Sequence, residues 1–325
     1  MRALVTGGAG FIGSHLAEAL VARGDEVRVV DCLTPYYDGD QKRANLLALE
    51  GRAEILTTDL GDGDLAPLVA DIDVVFHQAG QPGVRLSWGD GFGAYEYNNI
   101  RATQRLLEAC RDVPLKRFVY ASSSSIYGEA ERYPTAELDL PRPRSPYGVT
   151  KLAGEHLCSL YAAGWLVPTM SLRYFTVYGP RQRPDMAFHR LCESVLTGQP
   201  FPQYGDGSQI RDFTYVTDVV AANLAAADAS VDAVAAGEVL NVAGGTSTSL
   251  ATVIATVEEL AGTPVPIDHR PEQSGDVSRT GASTERARTW LGWAPEVDLR
   301  AGLASQLAWH RDHLPAGRGR ALDQR

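Results

Sequence analysis

Two residues capable of acid–base chemistry lie four positions apart, in the stretch Tyr147-Gly148-Val149-Thr150-Lys151. On a helix, this spacing places Tyr147 and Lys151 on the same face. A tyrosine phenol ordinarily has a pKa of about 10, which is too high for a base at neutral pH. A nearby ammonium group favours the phenolate and lowers that pKa. The pair therefore predicts an acid–base tyrosine with a lysine that tunes it.

A run of four serines, Ser122 to Ser125, follows an apolar stretch at 117–121. If that stretch is a buried strand, the serines lie at its C-terminal end, where an open α/β sheet places its active site. Serine hydroxyls also cap ordinary turns, so the run alone is compatible with either role. Its position shortly before the Tyr–Lys pair favours a place in the same site.

A glycine pattern near the N-terminus indicates a nucleotide site. Gly7, Gly10 and Gly13 follow a short apolar stretch at 2–6 and open a helical pattern. Glycines let the backbone approach a pyrophosphate, and the N-terminus of the helix stabilises its negative charge. The strand before the glycines and the helix after them are the context that gives this motif its meaning.

An acidic residue ends the next predicted strand. Asp31 stands where a carboxylate accepts hydrogen bonds from the ribose hydroxyls of a dinucleotide. Cys32 and Leu33 follow, with no arginine to receive a 2′-phosphate. The pattern therefore favours NAD over NADP. Asp59 and Leu60 follow the third predicted strand and could flank the adenine.

Strands and helices alternate along the first part of the chain. Predicted strands cover 2–6, 26–31, 53–56, 74–77, 117–121 and 169–174, and predicted helices cover 13–23, 97–110 and 147–163. This alternation predicts an α/β fold with a doubly wound parallel sheet of the Rossmann type.

Beyond about residue 178, frequent prolines separate shorter elements and the strict alternation ends. This change predicts a smaller mixed α/β substrate-binding lobe at the C-terminal side. A helical pattern at 213–227 and a strand pattern at 238–242 predict that the chain returns to the first domain near 213–245. We expect an NAD-binding domain over 1–178, a second lobe mainly over 179–315, and a flexible polar tail over 316–325.

Composition narrows the class of protein. The 325 residues carry a formal net charge of −10, which argues against a general nucleic-acid binder. The four cysteines lie far apart, without metal-ligand spacing, so we expect reduced thiols, no metal and a cytoplasmic location. No apolar run approaches the ~20 residues needed to span a bilayer. Met1 leads directly into a strand pattern, so no signal peptide is expected.

Together these features resemble the extended short-chain dehydrogenase/reductase family, and within it the NAD-dependent nucleotide-sugar epimerases and dehydratases. The resemblance covers roughly residues 1–312. Beside Asp31, the matching segments are TGGAGFIG (6–13), HQAG (77–80), YNN (97–99), SSSSIYG (122–128), YGVTK (147–151), RYFTVYGP (173–180), RDFTYVTDV (211–219) and SGDV (274–277).

The resemblance implies a tightly bound NAD+, a UDP-sugar substrate and a set of site residues. The implied catalytic residues are Ser123, Tyr147 and Lys151. The implied cofactor-binding residues are Gly7, Gly10, Phe11, Ile12, Gly13, Asp31, Asp59, Leu60, Gln78, Ala79, Gly80, Asn99, Tyr147, Lys151 and Tyr174. The implied substrate-binding residues are Arg85, Ser123, Ser124, Ser125, Tyr147, Thr176, Arg183, Gln203, Arg211 and Asp276.

Family members share a first step, in which the tyrosine takes the proton of the sugar C4 hydroxyl while NAD+ oxidises C4. The 4,6-dehydratases then use an Asp-Glu pair that follows their catalytic threonine. Ser124 and Ser125 stand at those positions here. Because a serine hydroxyl is a poor general base, elimination lacks its usual catalyst. The resemblance therefore implies 4-epimerisation.

The run Arg183-Pro184-Asp185-Met186-Ala187 resembles UDP-glucuronate 4-epimerases, in which the matching arginine reaches the C6 carboxylate. A guanidinium engages a carboxylate through paired charged hydrogen bonds. UDP-glucuronate 4-epimerisation is thus the expected activity, with UDP-glucose/UDP-galactose 4-epimerisation as the alternative. A dehydratase or a non-catalytic dinucleotide-binding protein is less favoured. The resemblance also implies a homodimer formed by the helices near 97–111 and 147–163.

Overall fold

The computed structural model of the chain describes residues 1–230, 235–271 and 277–314. Its strands, in chain order, are β1 (Arg2–Thr6), β2 (Glu26–Asp31), β3 (Glu54–Thr57), β4 (Val74–His77), β5 (Arg117–Ser123), β6 (Thr169–Tyr174), β7 (Val177–Tyr178), β8 (Phe201–Tyr204), β9 (Ile210–Asp212), β10 (Thr214–Tyr215), β11 (Glu238–Val242), β12 (Ser247–Ser249) and β13 (Ile267–Arg270).

The α-helices are α1 (Phe11–Arg23), α2 (Gly39–Leu46), α3 (Ala66–Val69), α4 (Phe92–Tyr95), α5 (Ala102–Ala109), α6 (Pro146–Trp165), α7 (Ala187–Thr197), α8 (Val216–Asp228), α9 (Leu250–Ala261), α10 (Glu285–Leu291) and α11 (Leu299–His313). None of these described helices combines the length and the apolar character needed to cross a bilayer.

Seven strands form one parallel sheet in the order β11-β6-β5-β4-β1-β2-β3. The chain runs outward from β1 to β3, then returns to place β4 on the other side of β1. This reversal of strand order between β1 and β4 is where open α/β sheets bind their ligands. The predicted doubly wound parallel sheet is confirmed.

Alternate residues of the central strands supply two separate cores. Ala3 and Val5 of β1 and Val119 of β5 pack into the cluster beneath α1 and α8. Leu4 and Tyr120 point the other way, into the cluster beneath α5 and α6. Because both faces are covered, these strands are apolar along nearly their whole length, which explains why they were recognisable in the sequence.

The predicted helix at 97–110 is present through Ala109, but its first turn is π-helical rather than α-helical. The structure has α4, then a π-helical turn at Glu96–Arg101, then α5. A π-turn accommodates one more residue than an α-turn and occurs often at functional sites. Here it lets Asn98 line a cleft while Asn99 turns beneath Gln81.

The predicted helix at 213–227 begins three residues late. Thr214–Tyr215 form the short strand β10, which pairs in parallel with β7, so α8 can start only at Val216. α8 then packs against α1 and the sheet, and β11 extends the sheet beside β6.

The remaining elements form a smaller layer beside the C-terminal edge of the sheet. β8 pairs in parallel with β13, and β9 pairs with β12 in antiparallel fashion. α7, α9 and α11 pack against one another over these pairs. The predicted tail at 316–325 lies outside the described residues.

A buried ion pair ties α6 to the sheet. Arg173 of β6 donates to both carboxylate oxygens of Glu155, at 2.9 and 2.8 Å, and each side chain is only 5% exposed. Glu155 also accepts a 2.5 Å hydrogen bond from the Ser122 hydroxyl of β5. The remaining edge of the guanidinium donates to the Tyr127 hydroxyl and the Glu137 carbonyl. One charged pair therefore joins α6, β5 and β6.

Replacing Arg173 by methionine is expected to lower the free energy of unfolding by about 3–5 kcal/mol, because the Glu155 carboxylate is then buried without a counter-charge. The double variant Arg173→Met, Glu155→Leu is expected to be less destabilised than the single one, since it leaves no unpaired charge. Urea unfolding followed by circular dichroism measures both. A single variant within about 1 kcal/mol of wild type would contradict this account of the pair.

Candidate active site

A cleft opens at the C-terminal ends of β1, β2, β4, β5 and β6. Parallel strands bring their carboxyl ends to the same edge of a sheet, so residues far apart in sequence meet there. The sequence-predicted residues that line this cleft are Gly7, Gly10, Phe11, Ile12, Gly13, Asp31, Asp59, Leu60, Gln78, Ala79, Gly80, Tyr147, Lys151, Tyr174 and Arg183.

The glycine turn between β1 and α1 has no room for side chains. A Cβ on Gly13 would lie 2.2 Å from the Gly7 carbonyl oxygen, and one on Gly7 would lie 2.7 Å from the Ala79 backbone nitrogen. Gly7 also has a φ of +67°, a left-handed conformation that favours glycine. Glycine at these positions allows the turn to close directly against the sheet edge.

The N-terminus of α1 is suited to an anion. Its N-cap residue, Gly10, offers no side-chain cap, and Phe11, Ile12 and Gly13 of the first turn line the cleft. The first backbone N–H groups of a helix have no intrahelical partner, and the helix dipole adds positive potential. These observations fit the pyrophosphate of a dinucleotide.

Asp31 lies at the end of β2 beside this turn. Its carboxylate accepts hydrogen bonds from the Ala9 and Leu33 backbone N–H groups, at 3.1 and 2.8 Å. The carboxylate of Asp59 accepts from the Gly61 N–H and the Tyr97 hydroxyl. Both carboxylates are thus held in place at the cleft wall, where they fit the adenosine end of NAD.

Tyr147 reaches the cleft from the first turn of α6. The helix begins there because Ser145 caps the Gly148 N–H at 3.1 Å and Pro146 occupies the first helical position. Burial raises the pKa of Tyr147, while a hydrogen bond with Ser123 and the positive charge of Arg183 lower it. The predicted Ser123 hydroxyl therefore lies near enough to Tyr147 to influence its ionisation.

Lys151 lies one turn further along α6, on the same wall of the cleft. Its ammonium donates to the Ala121 carbonyl of β5 at 2.9 Å and lies 5.2 Å from the centre of the Tyr120 ring. Burial lowers the pKa of Lys151 to about 8, against the opposing charge of Glu155. In this structure the cation that most directly favours the Tyr147 phenolate is Arg183, and Lys151 is anchored to the end of β5.

Asn99 is buried behind the residues that line the cleft, and its cofactor-binding role remains a prediction. Its amide accepts from the Gln81 N–H at 2.6 Å and donates to the Gln81 carbonyl and the Thr150 hydroxyl. A Cβ on Gly80 would lie 2.9 Å from the Asn99 oxygen and 3.2 Å from the Lys151 ammonium. Asn99 therefore holds the loop after β4 against α6.

Arg183 projects into the cleft from the loop after β7. Its guanidinium makes two hydrogen bonds with Asp185, at 3.0 and 2.9 Å, and lies 5.9 Å from the centre of the Tyr36 ring. The Arg183 side chain is 18% exposed. It shares the cleft wall with Tyr147 and Lys151, which is the arrangement expected of a ligand for an acidic sugar.

Other predicted substrate residues lie away from the cleft wall. Arg85 stacks on the Tyr204 ring at 4.3 Å, so its guanidinium bridges the loop after β4 and strand β8. Gln203 is buried and donates to the Gly205 carbonyl. Arg211 donates to the backbone carbonyls of residues 210, 277 and 278.

The last predicted positions lie just after β5 and just before β7. Ser124 and Ser125 form a 3-10 turn after β5, and the Ser123 hydroxyl accepts from the Ser125 N–H. Thr176 lies just before β7, where its carbonyl accepts from the Thr214 N–H. Asp276 lies outside the described residues. The substrate roles of all these residues remain predictions.

Sequence reasoning missed a cluster that follows β2. Tyr36, Tyr37 and Lys42 line the cleft, and the Lys42 ammonium lies 3.9 Å from the Asp31 carboxylate and donates to the Thr34 carbonyl. In the sequence these two tyrosines and the lysine stand in a polar segment shortly after the strand at 26–31, and this position was the one available signal. Their convergence on Asp31 depends on how this segment folds back over the cleft.

This site, on this sheet, defines an NAD-dependent enzyme of the epimerase class. The sequence profile of the NAD dependent epimerase/dehydratase family matches residues 3–243, and the chain belongs to that family. The predicted family, enzyme class and NAD cofactor are confirmed.

Three proteins from this family are similar to the chain. The chain is 42% identical over 313 residues to the "uncharacterized UDP-glucose epimerase YtcB" of Bacillus subtilis (strain 168), covering 95% of this chain and 98% of that protein. It is 36% identical over 331 residues to a "probable UDP-glucuronate 4-epimerase" of Rhizobium meliloti (strain 1021), covering 95% and 97%. The crystal structure of a UDP-glucuronic acid 4-epimerase from Bacillus cereus, with UDP-glucuronic acid and NAD, superposes with a TM-score of 0.92 at 42% identity, covering 96% of this chain and 99% of that one.

The depressed pKa of Lys151 predicts how turnover depends on pH. As pH rises through about 8, Lys151 loses its proton, so the cleft wall that carries Tyr147 loses one of its two cations, Arg183 keeping its charge, and turnover is expected to fall. The variant Lys151→Arg keeps its charge at any such pH and should move this falling limb upward. Initial rates between pH 6 and 10, with the NAD content of each variant as the control, measure the effect. An identical falling limb in the two proteins would assign it to another group.

Proposed function

We propose that the protein is a 4-epimerase that converts UDP-glucuronate into UDP-galacturonate and keeps its NAD+ tightly bound throughout. The observation that carries this proposal is the position of Arg183 on the same cleft wall as Tyr147 and Lys151. A guanidinium at this place offers a carboxylate charged, paired hydrogen bonds beside the acid–base group. The Bacillus cereus and Rhizobium relatives support the assignment.

Tyr147 moves the proton in this proposal. When bound, NAD+ supplies a reversible acceptor for a hydrogen and its electron pair. Ser123 and Tyr147 hold the sugar O4 between their hydroxyl groups, and the Tyr147 phenolate takes the O4 proton as C4 is oxidised. After the keto sugar turns over, Tyr147 returns the proton to O4. Lys151 keeps positive charge beneath the site throughout.

The residues beside Ser123 direct the outcome. Elimination of water needs a base and an acid at the two positions after it, and Ser124 and Ser125 provide only hydroxyls. At these two positions the keto sugar therefore meets no group that would remove its C5 proton. By holding the C6 carboxylate, Arg183 restrains it from the orientation in which CO2 would leave. Reduction on the opposite face is then the remaining course.

UDP-glucose 4-epimerisation is the second candidate, and one contact favours it. Asp185 already balances the charge of Arg183 in the absence of a ligand. A cleft whose cation is paired does not require an acidic sugar, so a neutral hexose remains acceptable. The Bacillus subtilis relative points in the same direction. UDP rather than dTDP as the nucleotide is part of this proposal and is supported by the relatives.

The proposed reaction is tested by incubating the purified protein with UDP-glucuronate and reading the products by NMR. UDP-galacturonate is expected. Arg183→Ala should raise KM for UDP-glucuronate by at least about tenfold, because a charged hydrogen-bonding partner is worth about 1.5–3 kcal/mol. Its KM for UDP-glucose should change much less. Unchanged substrate, UDP-xylose or a 4-keto pentose would contradict the proposal.

The proposal includes a cytoplasmic homodimer. All four cysteines are free thiols, three of them buried, which suits a reducing compartment. α4 and α6 carry the exposed apolar side chains Phe92, Val149 and Leu160, which we expect to share one outer face. A second copy of the chain would cover this face by forming a four-helix contact.

Sedimentation equilibrium is expected to give the mass of two chains. Replacing Leu160 by glutamate should shift the protein to one chain, because the new charge would be buried in the interface. The exposed Leu138, on a loop outside these helices, provides the matched control when replaced by glutamate. A wild-type protein that sediments as a single chain would contradict the dimer.

A further inference from the structure

We propose that Asp185 is a positioning residue that aims Arg183 at the C6 carboxylate and so sets the preference for a uronate over a neutral sugar. The inference rests on the proposed function, because it assigns Arg183 to that carboxylate. It concerns a different residue and a different property, namely the discrimination between two substrates.

A guanidinium offers two edges to a carboxylate. The Nε–Nη2 edge and the Nη1–Nη2 edge each present two N–H groups with the spacing of carboxylate oxygens. Arg183 uses Nε and Nη2 for Asp185, at 3.0 and 2.9 Å. Asp185 therefore occupies the first edge in a two-point contact, which fixes the plane of the guanidinium as well as its position.

The second edge is the one left for a ligand. Among the described residues, Nη1 of Arg183 makes no hydrogen bond, and the side chain lines the cleft while remaining 18% exposed. The bound edge and the second edge belong to one rigid planar group. Fixing the first edge therefore fixes the direction in which the second is presented to the sugar.

Two neighbours make the Asp185 contact rigid. Pro184 is the only residue between the partners, and its ring restricts φ to about −65°. The Tyr36 hydroxyl donates to Asp185 Oδ2 at 3.3 Å. Burial raises the pKa of Tyr36 to about 12, so its hydroxyl keeps its proton at neutral pH. The clamp thus consists of Tyr36, Asp185 and Arg183.

Asp185 has two opposing effects on an acidic sugar. It orients Arg183, which favours the C6 carboxylate, but its own negative charge repels that carboxylate. A single substitution removes both effects at once. Removing Asp185 in the absence of the Arg183 guanidinium relieves only the repulsion. Comparison of the two backgrounds in a double-mutant cycle therefore isolates the orienting effect.

The test uses the holoenzyme as wild type, Asp185→Asn, Arg183→Met and the double variant. KM, kcat and the dissociation constant are measured for UDP-glucuronate and for UDP-glucose. With Arg183 present, Asp185→Asn is expected to raise KM and the dissociation constant for UDP-glucuronate about tenfold, and those for UDP-glucose less than twofold. In the Arg183→Met background, the same substitution should leave UDP-glucuronate binding unchanged or strengthen it.

The matched control is Asp228→Asn, which removes the same charge from an exposed pair with Arg23 at the C-terminal end of α8, among residues that do not line the cleft. It should leave both substrates unaffected. An Asp185→Asn effect that is equal in the two backgrounds, or equal for the two sugars, would overturn the proposal. A wild-type protein that binds but never epimerises UDP-glucuronate would refute the proposed function alone, and the dissociation constants would still decide the role of Asp185.

Discussion

The buried pair of Arg173 and Glu155 is the contact on which the site depends most. It joins the helix that carries Tyr147 and Lys151 to the two strands whose ends form the floor of the cleft. A buried ion pair is weak evidence for stability, but its directional hydrogen bonds specify one arrangement of the elements that it joins. Because Lys151 lies one helical turn from Glu155, the register of this helix against the sheet also sets the place of the ammonium. The Arg173–Glu155 pair thus specifies how α6 packs on the sheet and, through α6, where Tyr147 and Lys151 lie.

Charge around the cleft is organised in local pairs within an acidic protein. The formal net charge is −10, yet Lys42, Arg181 and Arg183 stand at or near the cleft, each with a carboxylate close by. A paired cation keeps its place without a ligand and can still offer unused N–H groups to an anion. The proposed diphosphate and sugar carboxylate therefore need no broadly basic surface, of the kind that nucleic acid would select.

The sequence was most informative for features that depend only on residues close together in the chain. The strands 2–6, 26–31, 74–77 and 169–174 were predicted with their observed bounds, because buried parallel strands carry short runs rich in valine, leucine and other apolar residues. The glycine turn and the Tyr147–Lys151 pair were predictable for a similar reason, because each is encoded within a few consecutive residues. The π-turn around Asn99 and the Arg85–Tyr204 stack could not be predicted, because each depends on a contact between segments distant in sequence. The Asp185 clamp was missed for the same reason, since Tyr36 joins it from the loop after β2, which is 149 residues away in sequence.

The central claim is that Tyr147 moves the O4 proton while the C4 hydrogen stays with the enzyme. The most direct measurement follows UDP-glucuronate deuterated at C4 in ordinary water, using wild type and Tyr147→Phe of equal NAD content. The account predicts that the wild-type product keeps deuterium at C4 and that the variant turns over at least about a hundredfold more slowly. Loss of deuterium to solvent, or a variant as fast as wild type, would contradict it.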